Sequence, residues 1–450
     1  MMGKQLKPGQ KLTSLDPYEL GELFKHPVQH TNFDHVHELV AMLHSCKSPA
    51  DYSEFQGHLF KAVYQVEERR GQCSRVLKRF RGGKGPPADV PPPAVGDATS
   101  LRAWQLEAFV FERAARQLRA VGDGLAWRVF GYDRRRILAL SRNDSPGMMF
   151  GKDGLPYELG RVEDIWRDKQ HFALLHDLTN CLRIADVSEF TDEGVVLHEV
   201  KKNSRIETKQ RRRIEEAINA VMHGGPLPGG VVDAWLVELQ QPYAADLQPL
   251  NDAIQLACKH GSRGMRLGHG RALIANAPDV VASKWGHDYE SGVDWLSSIK
   301  RRALKRAGIQ DARRHIIGRS ADTASRSPSM APWSIYPFSA EDCAALICDE
   351  VMFETVISLD ALAESLASTG LRVEVLLPEA DGELVGNINI LQATWGDRSI
   401  TLHPHGLGPL LYELMRPDVW AVGVKEALMS AADSCEPVLV FADEAKWWAK

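Results

Sequence analysis

The stretch Gly194-Val-Val-Leu-His-Glu-Val-Lys-Lys202 decides how this 450-residue chain is read. Side chains alternate between the faces of a strand, so Glu199 and Lys201 share one face and Val200 takes the other. Asp186 lies upstream, in Leu182-Arg-Ile-Ala-Asp-Val187. The twelve residues between Asp186 and Glu199 include Thr191-Asp-Glu-Gly194, a good turn. The spacing therefore predicts strands at about 181–187 and 194–201, folded as an antiparallel hairpin. That hairpin would bring two carboxylates and one ammonium to a common pocket.

Working outward, the length predicts two or three domains. A 44% hydrophobic and 25% charged composition is that of a soluble globular chain, and no apolar run reaches the ~18 residues of a spanning helix. The first residues lack the apolar core of a secretory signal, and the seven cysteines form no Cys-x-x-Cys pair. Zinc clusters and a disulfide scaffold are thus disfavoured, and a cytoplasmic location without membrane attachment is expected. The net charge of −5 argues against indiscriminate nucleic-acid binding. Basic residues are nevertheless clustered at 69–84, 201–213 and 300–314, and local patches engage phosphates even on an acidic chain. Solvated helix faces would give the same clusters.

The pattern divides the chain into a helical region at 1–80, a Pro/Gly-rich linker at 81–100, a core at 101–318, a Ser-rich linker at 319–332 and an α+β domain at 333–450. Helix-spaced apolar positions mark 17–24 and 52–66. Leu101 to Arg119 predicts a helix, ended by Gly122. Gly124–Val129 and Arg136–Leu140 predict short strands, and Val162–Thr179 a helix. A basic helix is expected from about Glu207 to Met222.

The order helix, strands, Asp-bearing strand, Glu-x-Lys strand, basic helix resembles the PD-(D/E)xK nuclease superfamily over roughly residues 101 to 222. The resemblance implies a central mixed β-sheet flanked by helices, of restriction-endonuclease type. It also implies that Asp186 and Glu199 bind Mg²⁺ (or Mn²⁺) and that Lys201 supports the attacking water or the transition-state charge. Gln210 falls where members often carry a helix glutamine. Many members also carry a glutamate on the first core helix; of Glu107 and Glu112, Glu112 sits in the closer setting. Ala185 stands where the motif's proline would be, and Ile214 where a tyrosine commonly follows.

The physical requirements agree with that resemblance. Phosphodiester hydrolysis is helped by a hard cation that polarises a phosphoryl oxygen and acidifies a bound water, and carboxylates suit magnesium. A lysine on the same face can offset charge developing on the phosphate oxygens. Lys202, Lys209, Arg211, Arg212 and Arg213 are the expected contacts to the nucleic-acid backbone, DNA being the first expectation. Duplex cleavage would suggest a homodimer, and the C-terminal domain offers a place for a regulator or partner. A non-catalytic nucleic-acid-binding protein, or a ligand sensor built on the same fold, remains open on the sequence. His403-Pro-His405 reads as a loop pair, and Gly264-Met-Arg-Leu-Gly-His-Gly-Arg271 as a turn leading into a strand. Asp123, His171, His176 and Asp177 read as turn or helix-end residues.

Overall fold

The structure is a computed structural model that describes residues 26–141, 147–201, 208–223, 234–239, 242–286, 288–310, 314–320, 330–376, 389–430 and 436–441. The chain is mixed α/β, and its contacts group it into two units. The first contains Met1–Val129, Leu140–Ile218 and Pro332–Ile335; the second contains Phe130–Ala139, Asn219–Ala331 and Tyr336–Lys450. The helix expected at 17–24 lies outside the described residues, as does the start of the strand that the apolar run at 231–238 predicts.

The first unit opens with three helices: α1 (Pro27–Ser45), α2 (Pro49–Arg81) and α3 (Leu101–Val129). Ser48 and Asp51 close a reciprocal cap at the start of α2. Asp51 N–H donates to the Ser48 hydroxyl at 3.2 Å, and Ser48 N–H to the Asp51 carboxylate at 2.9 Å. Val36 and Leu43 of α1, Leu59 and Val63 of α2, and Leu118, Val121 and Leu125 of α3 are fully buried. Residues 82–100 carry neither helix nor strand, yet Val90 packs with Cys73, Val76 and Trp104.

The strands expected at Gly124–Val129 and Arg136–Leu140 are helical instead. α3 runs through Gly122 and Gly124 because these glycines serve close approach and do not terminate the helix. A Cβ at Gly122 would meet the Leu178 carbonyl oxygen at 1.9 Å, and one at Gly124 the Ser334 hydroxyl at 2.3 Å. Arg134–Leu140 forms the short helix α4, whose start is held by Arg135 N–H donating to Asp133 at 3.0 Å. A short apolar run such as Ile137–Leu140 does not by itself distinguish strand from helix.

Helix α5 (Leu155–Lys169) precedes an antiparallel sheet of β1 (Ala173–Leu175), β2 (Val187–Thr191) and β3 (Gly194–His198). The helix expected to reach Thr179 therefore stops ten residues earlier, and the Asp-bearing strand begins just after Asp186. The turn was legible: Thr191 pairs with Gly194, and the Thr191 hydroxyl donates to the Gly194 carbonyl at 3.0 Å. The basic helix α6 spans Thr208–His223.

In the second unit β4 (Ala234–Leu239) precedes α7 (Leu247–His260), β5 (Ser262–Gly268) and β6 (Arg271–Asn276). Helices α8 (Pro278–Trp285) and α9 (Tyr289–Ala307) lead to β7 (His315–Arg319). After α10 (Ala340–Ile347) comes β8 (Met352–Ser358), completing an antiparallel sheet of order β5-β6-β8-β7. Ala303 and Ala307 of α9 close over Ala272 and Ile274 of β6. Then follow α11 (Leu359–Ser368), the sheet of β9 (Arg372–Val375), β10 (Leu391–Trp395) and β11 (Arg398–Leu402), α12 (Gly408–Tyr412), α13 (Pro417–Ser430) and β12 (Glu436–Phe441), which pairs in parallel with β4. Of the turn expected at 264–271, residues 264–268 belong to strand β5 and only 269–270 turn, while β7, β8, α8 and α13 carry no expectation from the sequence. Among the described residues no helix is long and apolar enough to cross a membrane.

Candidate active site

The β2–β3 hairpin sets the site. Val187 and His198 are the last paired residues, and Asp186 N–H donates to the His198 carbonyl at 3.0 Å, so Asp186 lies just before β2 and Glu199 just after β3 at the open end of the hairpin. Val200 N–H donates to the Asp186 carboxylate at 2.8 Å, tying the two segments together at the point where the chemistry would occur. Lys201 Nζ lies 2.7 Å from Glu199 Oε1. Asp186, Glu199 and Lys201 thus lie close together at the end of the hairpin, but β3 stops at His198, so Glu199 and Lys201 stand past the strand that was expected to carry them.

Ala185 takes φ of 66°, a left-handed conformation rare for a residue with a Cβ. Proline is locked near −65° and could not adopt it. Strain of this kind is tolerated where neighbouring structure fixes it. Here the His176 N–H bond to the Asp186 carbonyl, at 2.9 Å, does part of that fixing.

Three groups not assigned to the site from the sequence join it. Lys152, in the segment before α5, lies 2.9 Å from Glu158 Oε1, 2.7 Å from Asp177 Oδ2 and 3.9 Å from Asp186 Oδ1. Glu158 sits in the first turn of α5, and Asp177 in the 3₁₀ turn after β1. Asp177, expected to be a helix-end residue, is part of this acidic cluster. No local pattern links 152, 158, 177 and 186; only the tertiary fold brings them together. Arg119 and Glu67 hold the supporting backbone. Arg119 donates to the carbonyls of Asp177 at 2.8 Å and Gly147 at 3.1 Å, and pairs with Glu67 at 2.6 Å. Glu67 in turn accepts the Met149 and Phe150 N–H groups at 2.6 and 3.2 Å. Asp123 accepts from the Asn180 and Cys181 N–H groups at 2.6 and 2.9 Å, anchoring the chain that leads to Asp186.

The electrostatics are those of crowded acids. Burial raises the Asp186 carboxyl, against the pull of the Val200 N–H and the ammoniums of Lys152 and Lys201. Burial also raises Glu199, and the Asp186 charge adds to the effect while Lys201 opposes it. Glu158 is raised by burial and by its acidic neighbours Asp186 and Asp177. Lys201 is raised above the ordinary lysine value, chiefly by its bond to Glu199, so it is an ammonium at neutral pH. Burial alone would lower Lys152; Asp177 and Glu158 outweigh it and raise it.

The other expected site residues are placed as follows. Glu112 lies on α3, 3.2 Å from Arg70, and Glu107 is buried against Arg69, His26 and the Ala94 N–H. None of these contacts involves Asp186, whereas the Asp186 charge acts on Glu158 of α5. Gln210 and Lys209 are on α6, but their side chains lie outside the description, as does Lys202 entirely. Arg211 and Arg212 are exposed on α6 and Arg213 is half-buried; Arg212 is within 3.3 Å of Glu216. Parts of the other basic clusters are engaged inside the fold: Arg69 with Glu107, and Lys300 with Glu354.

A second cluster lies on the same sheet. Buried Glu189 binds Lys169 and His171 at 2.8 Å and His198 at 2.9 Å. Burial opposes ionisation of Glu189, but those three partners outweigh it and bring the carboxyl down to about 2. His176 is buried with its ring Nε2 2.7 Å from the Ser188 hydroxyl, and burial lowers it to about 4, so it is neutral at neutral pH.

No protein-family model, curated protein or solved structure matches this chain. Function must come from the site's own chemistry. Among the described residues no set of three or more His, Cys, Asp or Glu side chains is grouped to hold a metal ion. Magnesium needs less, since it is commonly bound through one or two carboxylates with water and substrate phosphate completing the shell. Asp186 and Glu199, both oxygen donors and both raised in part by burial, fit that smaller requirement.

Proposed function

We propose that this protein is a metal-dependent nuclease of the PD-(D/E)xK superfamily, with a core of restriction-endonuclease type, hydrolysing nucleic-acid phosphodiester bonds. The observation that carries this reading is the meeting of Asp186, Glu199 and Lys201 across one hairpin. The acid on the neighbouring helix supports it further: Glu158 of α5 takes the part of the helix glutamate for which Glu112 was the sequence candidate.

Asp186 and Glu199 would hold Mg²⁺ or Mn²⁺. When bound, the ion supplies a polarised phosphoryl oxygen and a water acidified toward hydroxide. Lys201 is held as an ammonium, so it acts as a fixed positive charge on the phosphoryl oxygens and not as a general base. The Val200 N–H fixes the orientation of Asp186. Lys152 keeps Glu158, Asp177 and Asp186 close by offsetting their charge. Water adds to phosphorus as the bond to the leaving sugar oxygen breaks, and that oxygen takes up a proton. Exposed Arg211 and Arg212 would contact the backbone of DNA, the first substrate to test.

The test is incubation of the full chain with supercoiled plasmid and with RNA, in Mg²⁺ or with chelator, beside Asp186→Asn and Lys201→Ala. Metal-dependent cleavage lost in both variants, by about 100-fold or more, supports the proposal. Cleavage that survives in both variants, or nucleic-acid binding with no cleavage in any metal, would overturn it.

A further inference from the structure

The second unit contains a cavity that the hairpin chemistry does not use. Its volume is about 250 Å³, and its walls include Asp246, Gly268, His269, Arg271, Ser365 and Arg416. Three pieces of chain build it. The β5–β6 turn, Leu267-Gly-His-Gly270, forms one wall, and α11 carries Ser365 on another. The third comes from a backbone bridge, in which Asp246 N–H donates to the Leu414 carbonyl at 3.0 Å and Arg416 N–H to the Ala244 carbonyl at 2.9 Å.

The turn is locked in place. Gly270 has φ of 66°, its N–H donates to Ala307 at 2.8 Å, and its carbonyl accepts from Ser358 at 2.7 Å. A Cβ there would strike the Ala361 Cβ at 2.2 Å. At Gly268, by contrast, a Cβ would meet nothing within 4 Å. The wall is therefore rigid at one glycine and open at the other.

Arg271 is the unexplained feature. Its side chain is only 3% exposed, and its one bond runs from Nη1 to Asp246 at 2.6 Å. Its Nε and Nη2 are buried and, among the described residues, have no hydrogen-bond partner. Buried donors on a charged group are costly when unmatched. Nε and Nη2 form the edge of a guanidinium that takes an oxyanion through two parallel bonds. Arg416, on the same cavity, is held through Nε and Nη2 by Asp418. Each aspartate thus orients one guanidinium, and the cavity is close to neutral until a ligand enters.

We propose that this cavity binds a single phosphoryl group of a small molecule or chain end, gripped by the Nε–Nη2 edge of Arg271 with Arg416 as second cation. Two sources share that chemistry, a free phosphorylated metabolite such as a nucleoside monophosphate and the 5′-phosphate end of a nucleic acid.

Calorimetric titration of the full chain with inorganic phosphate, AMP, and an oligonucleotide with or without 5′-phosphate tests the proposal. Arg271→Lys keeps the charge beside Asp246 but removes the two-pronged edge, and Gly268→Leu fills the open wall without touching either ion pair. Binding of at least one phosphorylated probe with a Kd of about 1 mM or tighter is expected, weakened about 10-fold or more in both variants. AMP without the oligonucleotide identifies a small-molecule site, and preference for the 5′-phosphorylated oligonucleotide a chain-end site. No binding of any probe, or binding that both variants leave unchanged, would refute it.

Discussion

Replacing Arg119 with methionine should loosen the backbone that carries Lys152 and Asp177 while leaving the hairpin of Asp186 and Glu199 in sequence. The Arg119 and Glu67 side chains are 1% and 0% exposed and lie 2.6 Å apart. Removing one partner of such a buried pair costs about 3–5 kcal/mol, because the other charge is left uncompensated. Glu67 would keep the Met149 and Phe150 N–H groups, which places the loss toward the lower end. The Asp177 and Gly147 carbonyls would each lose a bond, returning about 1 kcal/mol apiece to the cost. A net of about 5 kcal/mol corresponds to opening faster by about 4,000-fold. Hydrogen exchange read by mass spectrometry, on peptides covering 147–152 and 177–182, reports that local opening in the full chain. Adding Glu67→Gln removes the stranded charge and should recover about 2 kcal/mol, the coupling a double-mutant cycle isolates. Acceleration below about 10-fold in Arg119→Met, or a double variant no slower than the single, would refute the reasoning.

Three further outcomes follow from the same geometry. Asp186, Glu199 and Glu158 have folded-state values above their ordinary ones, so between the two the folded state binds more protons and stability falls as pH rises. A divalent cation should relieve that repulsion. Mg²⁺ should raise the thermal midpoint more at pH 7.5 than at pH 5, by up to about 2.7 kcal/mol at 100 times Kd, and not in Asp186→Asn; a pH-independent shift would contradict it. Glu189 has the opposite sign: its contribution is present above the ordinary glutamate value and is lost as pH falls toward about 2. Glu189→Gln should cost about 2 kcal/mol at pH 7, and melting curves of variant and parent should converge on acidification. Gly122→Ala drives a Cβ into the Leu178 carbonyl and should cost about 3 kcal/mol, whereas Gly57→Ala, an exposed site in α2 with open space around it, should gain about 0.5–1 kcal/mol; differential scanning fluorimetry separates the two.

What the sequence determined by itself was local. The Thr191–Gly194 turn fixes the β2–β3 hairpin, which brings Asp186 and Glu199 to its open end, although alternation along β3 stops at His198 and does not reach Glu199 or Lys201. Amphipathic helices such as α2 and α6 were legible for the same reason, since their apolar spacing is a property of consecutive residues. What only the tertiary structure decided was which distant groups complete the site. Lys152, Glu158 and Asp177 converge because α5 and the turn after β1 pack beside the hairpin, and no periodicity records that. Glu112 had the better local setting yet faces Arg70, and Gly122 read as a helix end and Gly124 as the start of a strand, yet both sit inside α3, against Leu178 and Ser334. A glycine reports only that a side chain is missing; whether the space serves a turn or an approaching backbone depends on what the rest of the chain brings to it.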